Sequence, residues 1–172
     1  MIRIRTTEPE DLPALLEIYN EEVLNATSTL DLYPKGEVEW AAYLDAHNKD
    51  NHPMFTAELD GRIAGYACLS SYRDKEAFAG TVELSIYIAA PCRGKGVARA
   101  LMDSLLDIAR TDPTTLTVVS VITADNEPSI RLHERYGFRF CGSIPAAAEK
   151  FGRLLAVETY ALWVGPGAVD EA

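Results

Sequence analysis

The stretch Arg93-Gly94-Lys95-Gly96-Val97-Ala98 joins a strand-like run to an amphipathic helix, and this junction constrains the fold most. Upstream, Thr81-Val82-Glu83-Leu84-Ser85-Ile86-Tyr87-Ile88 is rich in β-branched and aromatic residues, which favour a strand. Downstream, Leu101, Leu105 and Ile108 recur at helical spacing, with Met102 and Ala109 widening the apolar stripe. Glycines at the junction let the backbone come close to a ligand. The first helical amides of Gly94–Arg99 then point outward, where the helix dipole favours an anion. A phosphate-bearing ligand is the expected guest. The stretch is not a P-loop, because Gly94-Lys95 is followed by Gly96 rather than Ser or Thr. ATP hydrolysis is therefore disfavoured.

Around this junction the chain reads as alternating elements. Residues 2–5 form a short strand, and Thr7-Glu8-Pro9-Glu10 combines a capping box with a first-turn proline. Leu12, Leu15, Leu16, Tyr19 and Val23 predict a helix to about Asn25. A second helix is expected over Glu37–Asn48, with Trp40, Tyr43 and Leu44 available for packing. Met54–Leu59 and Ile63–Ser70 flank Asp60-Gly61, the signature of a tight hairpin. Thr81–Ala89, Leu116–Ile122, Phe138–Ser143 and Glu158–Val164 supply further strands, with helices over Val97–Arg110 and Pro128–Tyr136. The order β-α-α-β-β-β-α-β-α-β-β predicts a single α/β domain on one mixed sheet, residues 1–164. Gly165–Ala172 reads as a disordered tail.

Composition narrows the function. The 172 residues are 48% hydrophobic, enough for one substantial core. A net charge of -10 argues against nonspecific nucleic-acid binding and attachment to anionic membranes. Arg93, Lys95 and Arg99 make a basic island in this acidic chain, suited to a small anion. No apolar run is long enough to span a bilayer, and Met1-Ile2-Arg3-Ile4-Arg5 does not resemble a signal peptide, so a cytoplasmic protein is expected. Cys68, Cys92 and Cys141 lack metal-ligand spacing and read as free thiols. No metal is expected.

Arg93, Gly96 and Ala98 match the cofactor motif Gln/Arg-x-x-Gly-x-Gly/Ala of the GNAT superfamily of N-acetyltransferases. Asn126, Ser129, Gly137 and Phe138 match that superfamily's second hallmark, and the chain resembles it over nearly its whole length. Thr81-Val82-Glu83, Ile18-Tyr19-Asn20, the run Ala124–Phe138 and Lys150-Phe151-Gly152-Arg153 resemble the branch acting on phosphinothricin and methionine sulfoximine. The resemblance implies the GNAT fold, acetyl-CoA as co-substrate, a small amino-acid-like amine as acceptor, and a homodimer.

It also implies roles. Glu83, placed by alternation opposite Val82 and Leu84, falls where the branch has its general base. His133 stands seven residues after Asn126, where many relatives carry a tyrosine acting as general acid. Tyr136 is a competing hydroxyl on the same helix. Amides around Ile86, Tyr87 and Ile88 would hold the pantetheine arm, and Gly94, Lys95, Gly96, Val97, Ala98 and Arg99 the pyrophosphate. Asn126 and Ser129 face the cofactor, and Arg135 is expected to reach a phosphate. Arg73, Glu76 and Phe78 are the expected acceptor-binding residues, with Arg73 pairing a substrate carboxylate. The branch's aromatic-Arg-His run is here Phe78-Ala79-Gly80, and its Trp-Leu-Asp is Leu154-Leu155-Ala156. Those changes imply an altered acceptor. The competing functions are a noncatalytic coenzyme-A-binding regulatory module and a peptide or protein N-acetyltransferase.

Overall fold

The computed structural model describes residues 1–167. Seven strands form one sheet in the order β1-β2-β3-β4-β5-β7-β6. They are β1 (Ile2–Thr6), β2 (Met54–Leu59), β3 (Arg62–Ser71), β4 (Thr81–Ile88), β5 (Thr117–Thr123), β6 (Arg139–Lys150) and β7 (Arg153–Trp163). Four helices, α1 (Leu12–Asn25), α2 (Glu37–Asp45), α3 (Val97–Thr111) and α4 (Glu127–Arg135), complete the expected order. Only β4 and β5 run parallel, because α3 carries the chain back across the sheet between them.

The two faces of the sheet have separate cores. Val97, Leu101, Met102, Leu105 and Leu106 of α3 pack on Val82 and Leu84 of β4 and Val118 and Ile122 of β5. On the opposite face, Leu15, Ile18, Trp40 and Leu44 from α1 and α2 cover Met54, Tyr66 and Cys68. Leu101 is fully buried, so truncation to alanine costs about 2–5 kcal/mol.

Three local expectations differ from the structure. Thr7 does not cap the first helix: its hydroxyl meets Thr56 Oγ1 at 2.9 Å, and the Asp11 carboxylate accepts the Glu8 amide at 3.0 Å instead. Pro9–Asp11 form a single 3-10 turn ahead of α1. The second helix ends at Asp45, where His47 turns its Nδ1 onto the Tyr43 carbonyl at 2.6 Å. The last two strands are far longer than the sequence suggests. They form a hairpin turning on Phe151 and Gly152, both at positive φ, with an irregularity between Ile144 and Ala148. Pro145 and the following alanines, poor strand formers, sit in that irregularity and mask the strand. Of the expected tail, Gly165 donates its amide to Leu116 O at 3.0 Å, and residues 168–172 lie outside the described residues.

Candidate active site

The site begins where the sheet parts. β4 and β5 pair only at Thr81↔Thr117, Val82↔Val118 and Glu83↔Val119. Beyond Glu83, β4 stays with β3 as far as Ile88↔Gly65, and β5 stays with β7 as far as Thr123↔Val157. The two strands therefore diverge and open a wedge through the sheet. A passage of about 230 Å³ occupies it, lined by Glu83–Tyr87 of β4, Ser120–Thr123 of β5, the Ser28–Leu30 loop, and Asn126, Ser129 and His133.

On the α3 face the wedge continues into a groove of about 410 Å³. Ile86, Tyr87, Ile88, Arg93, Gly94, Gly96, Val97, Ala98, Arg99, Asn126 and Ser129 all line it. Gly94 (φ 73°) and Gly96 (φ 87°) adopt the left-handed conformation that only glycine takes without strain. Gly96 precedes Val97 without a side-chain cap, so the first amides of α3 keep their donors for a ligand. Lys95 and Arg135 are exposed and outside this lining; Arg135 borders a shallow depression beside Pro128 and Leu132. Arg93 does not reach into solvent as a free cation. Its guanidinium pairs with Glu22 of α1, and its Nε donates to Ile88 O at 3.2 Å. That leaves Arg99 and the first amides of α3 as the groove's candidate anion donors.

His133 is buried and lines the passage, its ring T-shaped to that of Phe138 with centroids 5.0 Å apart. Its Nδ1 donates to Ser129 O at 2.7 Å, so in the neutral ring Nε2 carries the lone pair. Burial pushes its pKa down and keeps it neutral. Tyr136 faces elsewhere: its hydroxyl donates to Asp103 at 2.6 Å and lies 3.0 Å from Arg99 O, tying α4 to α3. Asn126 caps α4 by accepting the Ser129 amide at 3.3 Å, which leaves its amide hydrogens for the groove. Glu83 points to the other face, half-buried, and burial raises its pKa above the ordinary carboxylate value.

A second cavity of about 390 Å³ opens on the α1–α2 face and shares Glu83, Ser85 and Tyr87 with the passage. Its walls are Tyr19, Trp40 and Tyr43, with Tyr19 and Trp40 ring centroids 4.7 Å apart and Trp40 and Tyr43 stacked at 5.1 Å. Asp31, Lys35 and Glu39 stand at its mouth, and Lys35 lies 3.4 Å from Asp31 and 4.0 Å from Glu39. The Tyr19 hydroxyl donates to Asp31 at 2.5 Å and meets Thr29 Oγ1 at 2.9 Å. The loop roofing both cavities is held from the far hairpin, where buried Lys150 donates from Nζ to Thr29 O at 2.8 Å.

The structure does not bring Arg73, Glu76 and Phe78 into this cavity. They lie on the loop after β3, with the Arg73 guanidinium over Tyr72 at 5.0 Å and over Phe78 at 5.8 Å. The sequence reading took Tyr19, Trp40 and Tyr43 as packing residues, and the i, i+3 spacing of Trp40 and Tyr43 on α2 was the available signal for a shared wall. It also passed over Ser120, a hydroxyl between the apolar pairs Val118-Val119 and Val121-Ile122. Among the described residues, no group of His, Cys, Asp or Glu could hold a metal ion.

A sheet split at a parallel pair, a helix start with uncapped amides and two cavities meeting at one carboxylate make up the site. The chain belongs to the GNAT acetyltransferase family, which it matches over residues 12–138. It is 37% identical over 153 residues to an L-methionine sulfoximine/L-methionine sulfone acetyltransferase of Pseudomonas paraeruginosa, covering 88% of each chain. A phosphinothricin acetyltransferase from Sinorhizobium meliloti, solved with acetyl-CoA, superposes with a TM-score of 0.91 at 31% identity, over 95% of this chain and 89% of that one. A ribosomal-protein-alanine N-acetyltransferase from Brucella melitensis superposes at 0.89 with 34% identity, over 94% and 99%. The protein is an acetyl-CoA-dependent N-acetyltransferase.

Proposed function

We propose that the protein acetylates the amine of a small amino-acid-like acceptor, of the methionine sulfoximine or phosphinothricin type, by direct attack in a ternary complex. The names of the Pseudomonas and Sinorhizobium relatives support the acceptor class. One observation carries the reading: Glu83, the last paired residue before the wedge, belongs to both the passage and the aromatic cavity. A group placed there meets an amine arriving from one side and an acetyl group arriving from the other.

Acetyl-CoA, when bound, supplies an activated acetyl thioester. Glu83 takes a proton from the ammonium form of the acceptor, and its raised pKa brings it closer to that task than an exposed carboxylate. Amides of Gly96–Arg99 and the Asn126 side chain hold the charged end and arm of the cofactor. His133 receives a proton at Nε2 and returns it to the departing sulfur. The aromatic walls exclude water from the acceptor. Only Lys35 offers a cation in that cavity and it is shared with Asp31 and Glu39, which favours acceptors with one anionic group over phosphinothricin.

Free Cys68, Cys92 and Cys141 support a reducing, cytoplasmic setting. Exposed Phe140, Ile144 and Leu154 on the last hairpin support a homodimer. The Brucella relative's name supports a second reading, a protein N-terminus as acceptor. A thiol-release assay with acetyl-CoA decides among these, run over methionine sulfoximine, methionine sulfone, phosphinothricin, free amino acids, polyamines and an alanine-initiated peptide. Turnover on the amino acids and sulfone supports the proposal; turnover on the peptide alone moves the function to proteins. Coenzyme A binding with no turnover on any amine makes the chain a regulatory module.

A further inference from the structure

Two residues that line the passage, Ser120 and His133, each carry a side-chain atom, Oγ and Nε2, that is buried without a hydrogen-bond partner among the described residues. Both residues are 1% exposed. Leaving a buried polar atom unpaired is unfavourable, and here two such atoms belong to residues of different elements, β5 and α4, that line one cavity. Packing does not account for the hydroxyl. Val118 and Ile122, on the same face of β5, pack into the α3 core, and an alanine at 120 would fill that wall with no orphaned group. Ser120 is also the first β5 residue beyond the last pair with β4, Glu83↔Val119, where the wedge begins.

The two atoms are chemically complementary. With Nδ1–H committed to Ser129 O, His133 offers a lone pair at Nε2, while Ser120 offers an O–H. A thiol satisfies both at once: its S–H donates to the imidazole and its sulfur accepts from the hydroxyl. We propose that Ser120 and His133 together form a seat for the sulfur of coenzyme A, with Ser120 a further catalytic residue that donates a hydrogen bond to the sulfur as it leaves. As the acceptor nitrogen bonds to the acetyl carbon and the carbon–sulfur bond breaks, the electron pair stays on sulfur, where the Ser120 hydroxyl stabilises it. The proton lost by the nitrogen reaches that sulfur through His133 Nε2. This rests on the passage being the place where acetyl donor and amine meet.

Calorimetric titration with coenzyme A and with desulfo-coenzyme A, without any acceptor, tests the seat. Wild type is expected to prefer coenzyme A, and Ser120→Ala to lose that preference roughly five- to tenfold while its affinity for the desulfo compound holds. The ligand-free variant is expected to melt no lower than wild type, since it sheds an orphaned hydroxyl. An unchanged preference, an equal loss for both ligands or a lowered melting temperature overturns the proposal and leaves acetyl transfer standing. Should Ser120→Ala fail to fold, Ser120→Cys, nearly isosteric with a weaker donor, carries the same comparison and is expected to shift it less in the same direction. If neither ligand binds the wild type, the assignment of the passage falls together with the seat.

Discussion

Glu83 and His133 line one passage from opposite faces of the sheet, the carboxylate on the side of α1 and α2 and the imidazole hanging from α4 on the side of α3. In the proposed mechanism this separates proton acceptance at the amine from proton return at the sulfur. Glu83→Gln is therefore expected to lower kcat by roughly 10²- to 10⁴-fold with little change in acetyl-CoA affinity. With Glu83 as the base in its ionised form, wild-type activity is expected to be lost as pH falls through a pKa that burial has raised. The glutamine variant should lack that acidic limb in a pH–rate profile.

Burial acts on histidines in the opposite sense. His133 and His47 both have depressed pKa values, chiefly through desolvation. The unfolded chain binds their protons more tightly, so their contribution to stability is full above about pH 6.5 and is lost as pH falls towards the folded values. Thermal melts between pH 8 and pH 5 should show this decline, and His47→Gln, outside the passage, should flatten it.

Gly96 sits at φ 87° with only Ile2 Cδ1, at 3.6 Å, near the place a Cβ would occupy. Gly96→Ala thus meets backbone strain rather than a clash, at about 1 kcal/mol. Denaturant melts should register that loss. A larger effect is expected in a titration with coenzyme A, because the strained residue precedes the amides proposed to hold its charged end.

Lys150 fixes the roof of both cavities through Thr29 O, from a hairpin far away in sequence. Its replacement by methionine keeps the buried stem and removes the donor. KM for the acceptor is expected to rise several-fold with a smaller change in kcat, measured in steady-state assays. An unchanged KM would show that the loop holds its position without the lysine.

What could be read from the sequence divides along physical lines. The Gly94–Gly96 junction, the Asp60-Gly61 turn and the alternation that turns Glu83 away from Val82 and Leu84 are local signals, and the structure shows each of them. The aromatic cavity was hidden because Tyr19, Trp40, Tyr43 and Tyr87 come from three elements, and each alone is indistinguishable from a core residue. The long last hairpin was hidden for a different reason. Pro145 and its alanines contradict strand propensity, and only pairing with β7 overrides them.

The three-pair ladder between β4 and β5 has a thermodynamic consequence. Past Glu83, that edge of β4 faces a gap rather than a neighbouring strand. A guest with its own amides can zip into the gap and complete the architecture, so occupancy and rigidity become one event. Hydrogen exchange along Leu84–Ile88 should slow sharply when coenzyme A binds. Each catalytic cycle would then end by unfastening a piece of the sheet.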